Sequence, residues 1–525
     1  MGKMIKMRLS RQFRTRQSGS TKDFNPEFHL DSKTGQVVRT KNRRQPRLPV
    51  FILVARARRT MRHWYRNWVT ATMYCATHLL YQVEVHGEEN FSYEPSTVIT
   101  CAHKRDIDIS VVIPCLYFLQ RPGRLKALRG LYFPARDDLY ERGFLMIYFP
   151  WLNRFRFLMR RTSVAFNFRA VQACPVKLPD EQTANQLLNE TIRLEGDSPL
   201  VAALTDEWYQ KLMGELPANS KLRLSDAIKL APLTVLAQYA TPRMFSEPLA
   251  TRIRERHHRT IMGQLRHLTR VLDKGGSLFI APEGRVTPDG RFGKMRAAFN
   301  RIVQQAHVNL RMLPVNLTYD FMDSQKPKVI VNIGQEVTYL NHYSKNDLSE
   351  LVKQRVASLA TVTMSGIASR WLIEAGEDGR EWVRLSQLRD ELWTQLSRLR
   401  QTDVPMDNRL HTRQGFEERL EGFIQFGFGK GQLFLNKPDA TPTQTQIEAA
   451  AANVEDFNPI YDRWLNLNIP KLLRTDCNKP DDNPARYSNN ELQALLAAWN
   501  LSEESMSPMP LIFQHKAEAT QRTAG

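Results

Sequence analysis

With 525 residues and a formal net charge of +20, the chain is long enough for two or three domains, or for one large domain with appendages. A 42% apolar share can supply a core, while a mean hydropathy of −0.44 and no uninterrupted apolar run approaching ~20 residues argue against a multi-spanning membrane protein. The pI of about 9.8 points to an anionic partner: nucleic acid, an anionic lipid surface or phosphorylated small molecules.

Residues 1–48 are basic, rich in Ser, Gln and Asn and poorly periodic, which predicts a disordered tail. Their charge has no apolar h-region behind it, so no secretory signal is read there, although Arg and Ser with few acids is also transit-like. In the segment 49–95, "VFILVARARRTMRHWYRNWVTATMYCATHLLYQ" sets aromatic residues among Arg and His at helical spacing. A helix of this kind either lies in the plane of a membrane interface or packs on its own domain.

"STVITCA" (96–102) predicts a short buried strand, and "DISVVIPCLYFLQRPG" a helix ending near Pro122-Gly123. The aromatic, basic "FLMIYFPWLNRFRFLMRR" suits a lipid interface or a core. Residues 180–250 are polar and Pro-punctuated and read as an insertion or cap. In "RTIMGQLRHLTRVLDKGG", Ile261, Leu265, Leu268 and Leu272 form one apolar stripe, and Gly275-Gly276 end the helix. "SLFIAPEG" is the next strand, "KMRAAFNRIVQQAHV" a helix, and "RMLPVNLTYD" and "KVIVNIGQEV" are further strands. The alternation predicts an α/β sheet with functional loops after strand ends. Residues 341–436 read as mainly helical ("REWVRLSQLRDELWTQLSRLRQ"). Residues 437–525 combine a linker, "NKPDATPTQTQ", with a C-terminal region of no assigned role and a frayed end.

Five cysteines (Cys75, Cys101, Cys115, Cys174, Cys477) lie far apart with no CxxC or Cys/His pairing, which fits a reducing compartment and gives no metal site. The chemistry-bearing stretch is "TCAHKRDIDIS". Five residues along a helix turn about 140° beyond a full revolution, so His103 and Asp108 meet only if His103 precedes the helix and Asp108 opens it. Spacing alone does not select this pair. It recurs at His342 and Asp347, where Asn346 or Asp347 is expected to cap the helix "LSELVKQ". A second loop, "APEGRVTPDGR", places Gly284 where the backbone can turn tightly and Arg285 where it can fork onto a phosphate; an ordinary turn with a solvated Arg is the plain alternative.

Together, each closing a strand, these blocks resemble those of the glycerolipid acyltransferase family, whose members acylate glycerol 3-phosphate and lysophospholipids. His103 and Asp108 match its His-x4-Asp signature, Pro282 to Arg285 its Pro-Glu-Gly block, and Pro314-Val315 a later strand. The resemblance spans about 96–340. Arg105 stands where the family often has Ser, and the Thr commonly placed between Gly and Arg is missing. His103 and Glu283 are also further apart than is usual, with the excess in 180–250.

The resemblance implies a mixed sheet flanked by helices over 96–340. It implies direct acyl transfer from acyl-CoA or acyl carrier protein to a hydroxyl of a lysophospholipid such as 1-acylglycerol 3-phosphate, with glycerol 3-phosphate as the alternative acceptor. No cofactor is expected. His103 would be general base and Asp108 its orienting carboxylate, while in the substrate-binding block Glu283, Gly284 and Arg285 it is Arg285 that would hold the acceptor phosphate, with Glu283 shaping the loop. Lys104 or Arg105 would add charge, and Lys177 is the candidate for the intermediate phosphate-binding position. Cys101 is expected in the core rather than as a nucleophile. An anionic membrane is the expected surface, on its cytoplasmic face and bound peripherally or monotopically. Two rivals stand beside this reading. One is a non-catalytic lipid-binding relative, against which intact His103, Asp108 and Glu283 speak. The other is a basic nucleic-acid-binding protein; no zinc-finger, RRM or KH pattern supports it, and nucleic acid is not an expected partner.

Overall fold

The computed structural model describes residues 29–30, 37–38, 50–91, 94–105, 107–118, 130–140, 165–178, 182–214, 221–323, 326–429, 433–435, 463–477 and 479–501. Two units are distinguished, Met1–Thr60 and Met61–Gly525. In the first, strands β1 (His29–Leu30) and β2 (Val37–Val38) pair antiparallel, with His29 opposite Val38. The basic, aromatic stretch forms helix α1, Val50–Leu80. No described helix is long and apolar enough to cross a membrane.

The second unit is built on a mixed seven-stranded sheet. Its strands are β3 (Gln82–His86), β4 (Thr97–Cys101), β5 (Leu131–Arg136), β6 (Ala173–Val176), β9 (Ser277–Ile280), β10 (Arg311–Asp320) and β11 (Lys328–Ile333), in the order β3-β11-β10-β4-β9-β5-β6. From β10 to β6 all neighbours run parallel; β11 is antiparallel to β10, and β3 runs parallel to β11. Two more short strands, β7 (Gln182–Thr183) and β8 (Tyr239–Ala240), pair antiparallel between β6 and β9 in sequence.

Alternating side chains sort the core into two faces, as the two-residue period of a strand requires. Val98, Leu278, Ile280 and Met312 face one side. There they meet Leu265, Leu268 and Leu272 of α4 (Leu249–Asp273), Phe299 and Ile302 of α5 (Ala297–Gln305), and Leu348 and Val352 of α6 (Lys345–Ala357). Ile99, Cys101, Phe279, Leu313 and Val315 face the other side, against Val111, Val112, Cys115 and Leu116 of α2 (Asp108–Phe118). All five residues of β4 are buried, as the β-branched run predicts.

The 182–253 segment has its own core, gathering Leu187 and Leu188 of α3 (Ala184–Glu195) with Leu200, Leu212, Leu224, Met244 and Phe245. The β7–β8 pairing sets Gln182 opposite Ala240, so the chain leaves and returns at one place. Helix α4 then runs from this small core, through Leu249, Ala250 and Ile253, into the sheet core. The expected stripe is present, with Ile261 partly buried and the three leucines fully so.

Past β11 the chain is mainly helical. Helix α7 (Met364–Glu377) is buried almost all round and packs along α10 (Pro484–Ala498), with Gly366 admitting the two backbones closely enough that an added Cβ would lie 3.4 Å from that of Leu492. One apolar cluster draws together Met322, residues of α7, of α8 (Leu385–Leu399) and of α9 (Arg413–Gly429), and Leu492, Leu495 and Leu496 of α10. A short ladder, β12 (Trp382–Arg384) with β13 (Trp464–Asn466), ties 382–399 to 464–496. At the second His-x4-Asp spacing, the helix cap is Ser344 rather than Asn346 or Asp347. Its hydroxyl accepts from the Asp347 N–H and also meets the Asp347 carboxylate, at 2.7 Å. The serine one residue before the helix reaches the unpaired first-turn N–H that Asp347, already helical, cannot.

The expected helix end near Pro122-Gly123, the 144–161 aromatic stretch, the 436–446 linker and the end of the chain beyond 501 lie outside the described residues. So do residues 1–48 apart from β1 and β2.

Candidate active site

Strands β4 and β9 are parallel neighbours with Thr100 opposite Ile280, so the loops that follow them leave the same edge of the sheet side by side. His103 lies on the first loop, and Asp108 is the first residue of α2, the disposition the spacing required. The His103 Nδ1 stands 3.0 Å from Asp108 Oδ2. The same oxygen accepts the backbone N–H groups of Lys104 at 2.7 Å and Arg105 at 3.0 Å, and Oδ1 accepts the Tyr319 hydroxyl at 2.6 Å. N–H groups just ahead of a helix have no intrahelical partner, and a carboxylate on the first turn collects them. Asp108 is buried and accepts from all four donors, while the His103 side chain keeps 22% of its surface exposed. Burial, followed by the charge of Asp108, pushes the Tyr319 phenol well above its ordinary range, so it stays a donor. Cys101 is buried as expected, and burial foremost holds its thiol well above the range where a thiolate forms.

The second loop clamps the first. Glu283 Oε2 accepts the His103 N–H at 2.8 Å, its other oxygen accepts the Gly293 N–H, and the His103 carbonyl accepts the Thr287 N–H at 3.2 Å. Glu283 is buried, and that burial raises its carboxyl against the pull of the His103 and Gly293 N–H groups. Gly284 sits at φ +68°, where an added Cβ would come within 3.1 Å of Arg296 Cγ. Arg296 in turn donates from Nε to the Glu283 carbonyl at 3.3 Å. Arg285 is exposed and has no ion-pair partner among the described residues.

The structure therefore joins His103, Asp108 and Glu283 by hydrogen bonds, with Gly284 and exposed Arg285 next to Glu283 on the same loop. It corrects the expectation for Lys104: the ammonium turns inward, bonded to Asn316 Oδ1 at 2.8 Å and to the Glu491 carboxylate, and is buried. Arg105 donates to exposed Asp481 at 2.8 Å, with its guanidinium 4.5 Å from the Phe321 ring centroid and 5.5 Å from that of Tyr319.

Lys177 is also corrected. It follows β6, three strands from β4, and its buried ammonium is bonded to Glu190 of α3. His257 Nε2 lies 3.2 Å from the same carboxylate, so these groups lock the 182–253 segment to the sheet rather than meeting a substrate. Burial pushes the Glu190 carboxyl up, but hydrogen bonds from His257 and Lys177, and their charges, outweigh it and bring it to about 2. A folded-state value below the unfolded one contributes stability above about pH 4.5, lost as pH falls towards 2. The urea midpoint of Glu190→Gln is expected to fall below that of the parent at pH 7, with the gap narrowing below about pH 4.5 and closing towards pH 2. A constant gap across that range would show that the pair adds no charge-linked stability.

Tyr319, Asn316, Thr287 and the α10 residues were missed in sequence. Tyr319 is the penultimate residue of a strand already recognised, in "LTYD", but nothing local aims its hydroxyl at Asp108. "YSNNE" in α10 is polar yet wholly buried (Tyr487 to Glu491), a signal that periodicity alone assigns to solvent.

No family model matches the chain, and no curated protein matches it. Among solved structures it is similar to the 1-acyl-sn-glycerophosphate (LPA) acyltransferase PlsC from Thermotoga maritima, at 14% identity over 57% of this chain and 79% of that one, with a TM-score of 0.28. That likeness is too distant to assign a role to any residue.

Proposed function

We propose that the chain is an O-acyltransferase, moving a fatty acyl group from acyl-CoA or acyl carrier protein to a hydroxyl of a phosphorylated glycerolipid such as 1-acylglycerol 3-phosphate. The observation that carries the reading is the joining of two strand-end loops at one residue: His103 is oriented by Asp108 through its ring and held by Glu283 and Thr287 through its peptide.

With Nδ1–H donated to Asp108, Nε2 is the basic atom of the ring. It takes the acceptor hydroxyl proton as that oxygen attacks the thioester carbonyl. The new C–O bond forms, the C–S bond breaks, and the imidazolium returns the proton to the departing thiolate. Asp108 stabilises the imidazolium between these events. No acyl-enzyme is needed, and neither the buried Cys101 nor any serine is asked to supply one.

Arg285, exposed on the loop that clamps His103, is the cation we assign to the acceptor phosphate, with Gly284 bringing the backbone close. A mostly apolar pocket along α2, lined by Met73, Ile109, Ile113, Tyr117 and Phe133 with Arg66 and Gln172 in its wall, is the place we assign to the start of the acyl chain. Helix α1 exposes Trp64, Trp68, Leu79 and Leu80, and its sequence is rich in arginine. That composition favours the interface of an anionic membrane, here read as the cytoplasmic face bound peripherally.

Incubating the purified chain with labelled acyl-CoA or acyl carrier protein and a panel of acceptors tests the reading. The expected result is labelled phosphatidate from lysophosphatidate; product from glycerol 3-phosphate instead would move the acceptor to the alternative. Absence of any acylated glycerolipid would sink it. Arg285→Ala is expected to raise the apparent KM for the phosphorylated acceptor about tenfold with kcat little changed. An effect confined to the acyl donor would remove Arg285 from the phosphate.

A further inference from the structure

We propose that Glu491, on the C-terminal helix α10, is a positioning residue for the His103–Asp108 pair, acting through Lys104. Lys104 directly follows His103, and its two halves do different things. Its N–H donates to Asp108 at 2.7 Å, on the oxygen that also meets the imidazole, while its side chain turns away into the interior. There the ammonium meets the Glu491 carboxylate from 387 residues further along the chain, and Asn316, itself fixed by donating to the Val356 carbonyl at 2.7 Å. Thr318 also hydrogen-bonds Glu491. A buried ammonium without a counter-charge would seek water, and the peptide that aims at Asp108 would follow it.

Helix α10 also holds the other loop. Asn490 Nδ2 donates to the Asp289 carbonyl at 2.8 Å, and Gly290, at φ +77°, lies against the Tyr487 carbonyl so closely that an added Cβ would stand 2.4 Å from it. One helix thus grips the loop of His103 by an ion pair and the loop of Glu283 and Thr287 by its backbone. Among the described residues, titratable and charged groups around the pair include Cys101 at the end of β4, Arg105, Asp108 on α2, Glu283, Tyr319 on β10, and Tyr487 with Glu491 on α10.

The proposal rests on the acyltransfer reading for its kinetic arm only, because the His103 titration is measured without substrate. The full-length chain is labelled at histidine and followed by NMR, with His103→Gln to identify the resonance, beside kcat and KM for acyl transfer. In Glu491→Gln the Lys104 charge stands uncompensated near the imidazole and opposes its protonation. The His103 midpoint is expected to fall by about half a pH unit or more. kcat is expected to fall about tenfold, with both KM values within about twofold. Glu491→Asp, which keeps the charge, should recover most of both. Lys104→Met combined with Glu491→Leu, which removes both charges, should return the midpoint to that of the parent.

An unchanged midpoint and rate in a folded Glu491→Gln variant would overturn the proposal. A doubly neutral variant displaced as far as the single one would also overturn it, by showing that packing and not charge matters. Should Glu491→Gln fail to fold, Lys104→Met alone decides: it leaves the Glu491 carboxylate uncompensated near the imidazole, so a His103 midpoint displaced from the parent supports the brace and an unchanged one overturns it. If the unaltered chain transfers no acyl group, the acyltransfer reading fails while the titration still decides the brace.

Discussion

His103→Ala is expected to lower kcat for acyl transfer about 100- to 10,000-fold while leaving the thermal midpoint close to that of the parent. The ring is partly exposed, and its neighbours hold the residue by the peptide: the N–H on Glu283 and the carbonyl on Thr287 survive the substitution. What is lost is Nε2, the nitrogen proposed to take the proton, together with the contact between Nδ1 and Asp108. Single-turnover rates with acyl-CoA, read beside circular dichroism, separate the two effects. Turnover near the parental value in a clean preparation would show that no proton passes through this ring.

Asp108→Asn should cost about 1,000- to 10,000-fold in kcat with a smaller loss of stability. An asparagine can keep the local frame. Its carbonyl oxygen can accept from His103, Lys104 and Arg105 as Oδ2 does now, and its amide can donate to Tyr319 once that hydroxyl turns. The negative charge that stabilises an imidazolium is then gone from a buried site, so the rate falls while the geometry persists. Asp108→Ala removes the acceptor as well and leaves buried N–H groups unpaired. It should therefore also lower stability, by about 1–3 kcal/mol as judged from urea midpoints. If Asp108→Asn kept its rate while Asp108→Ala lost it, the carboxylate would be structural only.

That the two side chains can meet was legible in "AHKRDID", because a histidine after a strand and an aspartate on the next helix turn are matters of local geometry, whereas their expected roles came from the resemblance that both loops carry together. Local pattern also served well along the sheet: "RMLPVNLTYD" is β10 residue for residue. It failed at the lysines. Lys104 and Lys177 look like phosphate ligands when read as charges beside a site. Yet each faces inward to a carboxylate, Glu491 or Glu190, that lies far along the chain or in a separate helix. The sign of a side chain is legible in sequence; the partner that neutralises it is not.

Periodicity and composition by themselves determined where strands end, which loops hold His103 and Glu283 and that Asp108 opens a helix, because those signals act within a turn or two of chain. Only the tertiary structure decided that Thr100 stands opposite Ile280, so that two loops 180 residues apart meet at His103. It also decided that α10 closes over both. Strand register and the pairing of buried charges depend on which distant surfaces exclude water together, and neighbouring residues carry no record of that choice.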